Sequence, residues 1–279
     1  MPRAAPSPPI AARISRAWQL ARERAATADL LTFYGDLAEF QQSLLSDTSR
    51  VIRHPHAHFD EALDAHAAAP LMRGLLRWLE KRPQQGLAGV AQSLKARTAT
   101  EWAPLLDSYW RRGGVSLPNE DEIEQFVLEA LLQPFAEAVA LAGRESHKEI
   151  TEFREEDSQR PQHCPVCGGH PIVATLRERG HGARRSLVCG FCLTDWPTPR
   201  VVCPFCEEGN FEALLIYRAE EFPDVRIDAC RSCQKYIKTL DLTVNGAAIH
   251  VVDDLASLAL DLWAAGREYR KARPNLLRL

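Results

Sequence analysis

The sequence predicts an α+β protein: an N-terminal all-α domain, then two tandem four-cysteine metal modules of ribbon type, then a C-terminal helix. Three observations carry this. Apolar residues before about residue 150 recur at helical spacing. Beyond residue 160 short β-branched runs flank turn signals instead. All eight cysteines lie between Cys164 and Cys233, every one in a Cys-x-x-Cys pair. The expected boundaries are a flexible tail over 1–13, a helical domain over 14–158, a first ribbon over 159–202, a second over 203–250, and a C-terminal helix and tail over 251–279.

Residues 1 to 13 carry Pro2, Pro6, Pro8 and Pro9 and read as a tail. From Ile14 the pattern turns helical, with Ile14, Trp18, Ala21 and Ala25 at helical spacing. Asp29 then precedes a broad apolar face running from Leu30 and Leu31 through Phe33, Leu37 and Phe40 to Leu45. His54-Pro55-His56-Ala57-His58 reads as a loop or the start of a helix. Pro70 suits the first turn of a helix carrying Leu71, Leu75, Leu76, Trp78 and Leu79, and Pro83 stops it. Shorter helices follow around 84–96 and 100–111, and Gly113-Gly114 breaks the second. The strongest helix begins near Asn119, expected as its cap, with Glu120, Asp121 and Glu122 in the first turn. Its stripe is Ile123, Phe126, Val127, Ala130 and Leu131, and Pro134 should kink it before Gly143. No strand-like alternation occurs before about residue 160.

The charged stretch 152–160 reads as a linker. Ile172–Leu176 and Arg185–Val188 then flank Gly180-His181-Gly182, a hairpin that delivers Cys189. The plan repeats: Ala213–Tyr217 and Val225–Ala229 flank a charged turn and deliver Cys230, and Tyr236–Leu242 follows. Aligning Cys189 with Cys230 matches Trp196 with Ile237 and Thr198 with Thr239, which indicates an internal duplication. Asp253 is expected to cap a final helix through Leu255, Leu258, Ala259 and Leu262 to Gly266. The basic tail from Lys271 reads as frayed.

A turn with two thiols at Cys-x-x-Cys spacing points both sulfurs at one place, and two such turns supply four tetrahedral ligands. The gaps between pairs are 21, 10 and 23 residues. They predict sequential sites: Cys164, Cys167, Cys189 and Cys192 in the first, Cys203, Cys206, Cys230 and Cys233 in the second. Gly168, after the first pair, frees a backbone position that needs positive φ. Each module, at about 40 residues, is too small for its own core, so metal would supply folding energy. The helices, by the same argument, should outlast loss of the metals. Zinc and a rubredoxin-type iron both accept four thiolates in a tetrahedron. A dithiol oxidoreductase fits four repeating pairs less well.

The formal charge of the 279 residues is -3 and the pI about 6.3. Over residues 151–240, 12 Lys and Arg face 13 Asp and Glu, so no field favours phosphate backbones. No run of about 18 apolar residues suggests a membrane span, and Met1–Arg13 lacks the apolar stretch of a secretory signal. Clustered thiols without an export signal imply a reducing, cytoplasmic location. No Gly-rich phosphate loop, nucleophile elbow or diagnostic carboxylate pair is present, so no enzymatic activity is expected. His54, His56 and His58 read as a surface loop. His163 and His170 flank the first pair as exposed or supporting residues rather than ligands. Trp196, Phe205, Tyr217 and Tyr236 are expected to shield the metals, although aromatics here could also stack bases.

Cys164-Pro-Val-Cys167-Gly168-Gly169-His170-Pro171 and Leu187-Val188-Cys189-Gly190-Phe191-Cys192, with Trp196 and Arg200, resemble the formate dehydrogenase accessory protein FdhE family. So do Cys203-x-x-Cys206, the run Cys230 to Lys238, and the run Asp253 to Asp261. Phe33-Tyr34-Gly35-Asp36-Leu37 to Gln41 is similar more weakly. The resemblance implies a cytoplasmic maturation factor that binds the catalytic subunit of a molybdenum- or tungsten-dependent formate dehydrogenase. It implies two tetrathiolate metals in rubredoxin-like modules, with iron favoured over zinc. It also singles out Tyr236, Lys238, Asp253 and Asp254 for client contact, against a local reading as hairpin residues and a helix cap. The competing function is a zinc-ribbon nucleic-acid-binding protein, and homo-oligomer formation is left open.

Overall fold

The computed structural model describes residues 8–54, 58–82, 87–143, 162–180 and 182–279. Expectations for residues 1–7, Pro55, His56, Ala57, Pro83, the linker 152–160 and His181 lie outside them.

The first helix, α1 (Ile10–Glu23), starts inside the expected tail. Pro9 precedes it, with a carbonyl that accepts the Ala12 and Arg13 N–H groups. What holds this end is tertiary: Arg13, buried, donates to Glu137 at 2.5 Å. A proline-rich run gives no hint of a distant buried acid. Then come α2 (Ala28–Leu44), α3 (Thr48–Val51), α4 (Ala65–Ala68), α5 (Met72–Glu80), α6 (Leu87–Leu94) and α7 (Ala99–Arg111). Thr98 and Glu101 form a reciprocal capping box at α7. The longest helix, α8 (Glu122–Ala142), is capped by Asp121, which accepts the N–H groups of Ile123 and Glu124 at 3.0 and 2.8 Å. Asn119, the expected cap, has φ +70° and stands outside the helix. Asp121 wins because its carboxylate reaches two free N–H groups at the positive helix end.

Helix α8 is the spine of the protein, buried nearly throughout. By length and composition it could cross a membrane, but 83% of its apolar window is buried inside the protein. Pro134 lies inside it and has no N–H to give the Ala130 carbonyl. Gln41 of α2 supplies the missing donor, its Nε2 lying 2.9 Å from that oxygen. This accounts for a buried glutamine on an otherwise apolar face.

The strands are β1 (Pro171–Arg179), β2 (Gly182–Cys189), β3 (Asp195–Pro197), β4 (Leu214–Arg218), β5 (Val225–Cys230), β6 (Lys235–Asp241) and β7 (Arg270–Lys271). Both ribbons are antiparallel meanders, and both enter one sheet in the order β3-β2-β1-β6-β5-β4. The junction is parallel: Val173 to Leu176 of β1 run beside Lys238 to Asp241 of β6. The first strand of one repeat therefore meets the third strand of the next, a translational repeat rather than a two-fold one. β7 pairs with the start of β6.

The expected final helix is two helices, α9 (His250–Ala256) and α10 (Leu258–Ala265). Asp253 is not the N-cap. It sits in the first turn of α9, where its Oδ2 accepts the Ile249 N–H at 2.7 Å. The break at Ser257 coincides with Lys238, whose Nζ donates to the Asp254 carbonyl at 2.6 Å and to Ser257 Oγ at 3.2 Å. The tail beyond Lys271 is not frayed. Lys271 pairs with Asp254 and Asp261, Arg273 with Glu129, and Arg278 with Glu129. A basic run looks solvated until its buried acids are known.

One large core runs from the helices through Cys164, Cys167, Cys189 and Cys192 to Val252 and Leu255 of α9. A smaller core joins β5, β6 and α10 through Ile227, Leu240, Leu260 and Tyr269.

His250 marks a pH-sensitive point in the large core. It is buried, and its Nδ1 accepts the Val251 N–H at 3.0 Å. Burial, with Arg13 and Arg177 nearby, pushes its pKa down to about 3. The unfolded chain takes up that proton near pH 6.5 and the folded chain resists it. Stability present above pH 6.5 is therefore lost as pH falls toward 3, about 2 kcal/mol of it by pH 5. Urea unfolding at pH 7 and pH 5 should show this loss in the parent and a smaller one in His250→Gln. Equal losses would remove His250 as the cause.

Candidate metal centres

Each cysteine pair sits on a knuckle, and the four knuckles share one backbone device. The residue after each second cysteine has positive φ: Gly168 at +75°, Leu193 at +58°, Glu207 at +59° and Gln234 at +56°. Only the first is glycine, so the turn is held against the usual preference of an L residue. Hydrogen bonds close the knuckles. Cys164 N–H donates to the Gly169 carbonyl at 2.7 Å, Cys189 N–H to Thr194 at 2.9 Å and Cys203 N–H to Glu208 at 2.8 Å. β2 and β5 end on Cys189 and Cys230, so the repeated hairpin carries the second knuckle of each module.

The thiols form two clusters, one of Cys164, Cys167, Cys189 and Cys192, the other of Cys203, Cys206, Cys230 and Cys233. All four sulfurs of a cluster lie within 4.8 Å of one another. In the first, Cys164 and Cys192 are 3.5 Å apart and Cys167 and Cys189 3.4 Å. In the second the matching pairs are at 3.8 and 3.7 Å. A tetrahedron with metal–sulfur bonds of ~2.3 Å has edges of ~3.8 Å, so both clusters fit a metal ion with little adjustment. The Gly169 and Phe191 N–H groups point at Cys167 and Cys189 Sγ, each at 3.4 Å, as donors to bound thiolates do.

The electrostatics fit as well. Burial pushes the Cys167 and Cys192 thiols well up. Burial acts on Cys189 too, but hydrogen bonds from the other three thiols and the Arg273 charge outweigh it and hold that thiol well down. A cation at the centre would offset burial and the mutual repulsion of the sulfurs and let the thiols ionise together.

The two centres differ in setting. The first is sealed. Phe191, between Cys189 and Cys192, meets Tyr109, Trp110 and Phe59 edge to face with centroids 5.7 to 6.2 Å apart. Gly113-Gly114, read from sequence as a helix break, is also where α7 meets the knuckle. A Cβ on Gly113 would come 2.1 Å from the Cys167 carbonyl oxygen, and one on Gly114 would come 2.6 Å from Phe191. Gln133 of α8 donates to the Gly190 carbonyl at 3.1 Å. Arg273 lies over Gly190 so closely that a Cβ there would be 2.3 Å from its Nε. In the second centre Cys206 is exposed and Cys233 half-buried.

His54 and His58 are exposed and belong to neither cluster. His163 and His170 meet in a tilted contact, ring centroids 4.7 Å apart, beside the first knuckle, and neither joins the four thiols. Trp196 is wholly buried in the large core, and Phe205 packs against that core with Lys235 over its ring. Tyr217 turns away to Trp263, and Tyr236 donates to Asp261 at 2.7 Å. Tyr236, Lys238, Asp253 and Asp254 are all buried and bonded within the chain, so their roles are internal, with Asp253 in the first turn of α9 rather than at its cap. Lys238 and Lys271 outweigh the effect of burial and hold the Asp254 carboxyl well below the usual range. Sequence reasoning missed Phe191 and Arg273. The first had a cue in Cys189-Gly-Phe-Cys192, the second had none.

Fold and site define a class: a helical protein whose C-terminal part carries two four-cysteine knuckle clusters on one continuous sheet. Models of the FdhE central domain and the FdhE C-terminal domain match residues 163–200 and 201–278. A protein FdhE homolog of Aquifex aeolicus is 32% identical over 188 residues, 67% of this chain and 61% of that protein. One from Citrobacter koseri is 26% identical over 262 residues, 89% of this chain and 81% of that protein. One from Pseudomonas aeruginosa is 37% identical over 119 residues, 38% of its length. The crystal structure of the FdhE protein from Pseudomonas aeruginosa has the same fold, with a TM-score of 0.72 over 99% of both chains at 23% identity. Together these matches support the FdhE family for this chain.

Proposed function

We propose that this protein is a formate dehydrogenase accessory factor. It binds the catalytic subunit of a molybdenum- or tungsten-dependent formate dehydrogenase during assembly in the cytoplasm and does no chemistry on formate itself. The observation that carries this reading is the match to both FdhE domains over residues 163–278, with all eight cysteines gathered in two clusters inside the matched region. An assembly factor must release its product, so the complex is expected in the micromolar range, about 8 kcal/mol. Deleting the gene should lower formate dehydrogenase activity while the transcript persists, and the purified protein should hold the catalytic subunit. Normal activity in the deletion strain would overturn the reading.

Both clusters hold metal in this reading, with iron as the resident ion and all eight cysteines as ligands. Protein made without oxygen or chelator should carry two metal ions per chain. X-ray absorption should give four sulfurs at ~2.3 Å, and visible thiolate-to-iron bands should accompany iron. Colourless protein with two zinc ions would keep the ligand set and overturn iron.

A further inference from the structure

The second cluster opens onto an apolar groove at the free edge of the sheet. β4 ends the strand order and pairs only with β5 among the described residues. Its register sets Leu214 opposite Cys230 and Ile216 opposite Asp228, so these residues share one face with the second centre. The opposite face carries Leu215 and Tyr217, packed on the smaller core. On the open face lies a cavity of about 210 Å³, with Cys203, Phe205 and Leu214 in its wall. Three large apolar side chains stand at its mouth: Val201 is 54% exposed, Phe211 73% and Ile216 56%. Such edges are ordinarily blunted by charge or proline, and β4 has only Arg218 at its end.

The polar part of the lining is cationic. Arg185, Arg200, Arg226 and Lys235 face one carboxylate, Asp228, which already takes hydrogen bonds from Arg185 at 3.1 Å and Arg226 at 2.8 Å. Arg200 is exposed at the rim. Two negative charges from four thiolates around a divalent ion would still leave the lining net positive.

We propose that this groove and the edge of β4 bind an extended segment of a protein partner by strand addition, with an apolar side chain in the cavity and an acidic one on the same face against Arg200. This rests on the accessory role above, with the client as the source of the segment. Main-chain pairing supplies affinity and the cavity and Arg200 supply selectivity. Among the described residues the first centre, sealed by Phe191 and α7, offers no such opening.

The test uses the full metal-loaded chain and a labelled ten-residue peptide with Leu and Glu alternating on one face and Thr on the other. Anisotropy should report binding in the micromolar range. Lys in place of Glu should weaken it roughly tenfold or more, as should Ile216→Lys or Arg200→Glu in the protein. Methylating alternate peptide nitrogens should abolish it. Ile216 and Arg200 are exposed, and Phe211→Glu is a further variant should either fail to fold; each must keep two metals and the parent far-UV spectrum. No binding, or binding indifferent to these changes, overturns the proposal. So does self-association through β4 without peptide binding, and so does a groove that instead takes an oligonucleotide in salt-sensitive fashion. The catalytic subunit separates the two readings. Its equal retention by parent and Ile216→Lys overturns the groove and leaves the accessory role. Peptide binding with no retention of the subunit supports the groove and removes that role.

Discussion

Cys189→Ser is expected to lose far more stability than Cys206→Ser. Cys189 is wholly buried in the large core, its Sγ accepts the Phe191 N–H, and Phe191 locks into Tyr109, Trp110 and Phe59. Structural tetrathiolate metals contribute roughly 10–16 kcal/mol of apparent binding energy. Losing even a third of that, about 3–5 kcal/mol, would take a large part of the margin of an ordinary protein, about 5–15 kcal/mol. Cys206 is exposed, in the cluster whose Cys203 and Cys230 line the groove. Its serine variant should shed the second metal, keep the first and keep its helical signal. A ribbon that melts while the helices persist is thus expected at the second centre only. Chelation to completion should instead cost the helices their cooperative unfolding. Metal content with far-UV melts of both variants decides this, and a Cys189→Ser protein with one metal and a parent-like melt would show the shared core to be uncoupled from its metal.

Glu129→Ala is the second large effect. Glu129, buried on α8, accepts from Arg273 and Arg278 Nη2 at 2.8 Å each and from Tyr109 Oη at 2.6 Å. Burial and the Glu129 charge raise the pKa of Tyr109 far above that of an ordinary phenol, so the hydroxyl stays a donor. Removing the carboxylate leaves two guanidinium groups without their counter-ion, one of them buried over Gly190. Breaking a buried ion pair from one side costs about 3–5 kcal/mol. The loss should also free the C-terminal segment, so limited proteolysis should cut after Tyr269 in the variant and not in the parent. A parent-like urea midpoint and cleavage pattern would mean that β7 and Lys271 hold the tail without it.

What the sequence determined by itself is local. Thiol spacing fixed the eight candidate ligands and their sequential grouping, because a Cys-x-x-Cys turn and a short hairpin are decided within a few residues. Helical periodicity placed the helical part because its stripes are long and apolar. Tertiary structure decided the rest, where a residue's partner lies far along the chain. Arg13 and Arg273 look solvated until Glu137 and Glu129 are brought to them from more than a hundred residues away. Asp253 looks like a cap until α9 is seen to start at His250, and Lys238 looks like a hairpin lysine until the acids of α9 and α10 close over it. The parallel junction of β1 and β6 leaves no local signature, since each strand reads the same alone or paired. That junction puts both centres on one sheet, and the helices of α7 and α8 seal the first while the second stays at an open edge. The difference between the two centres is set by packing over the cysteines, which the shared Cys-x-x-Cys spacing cannot encode.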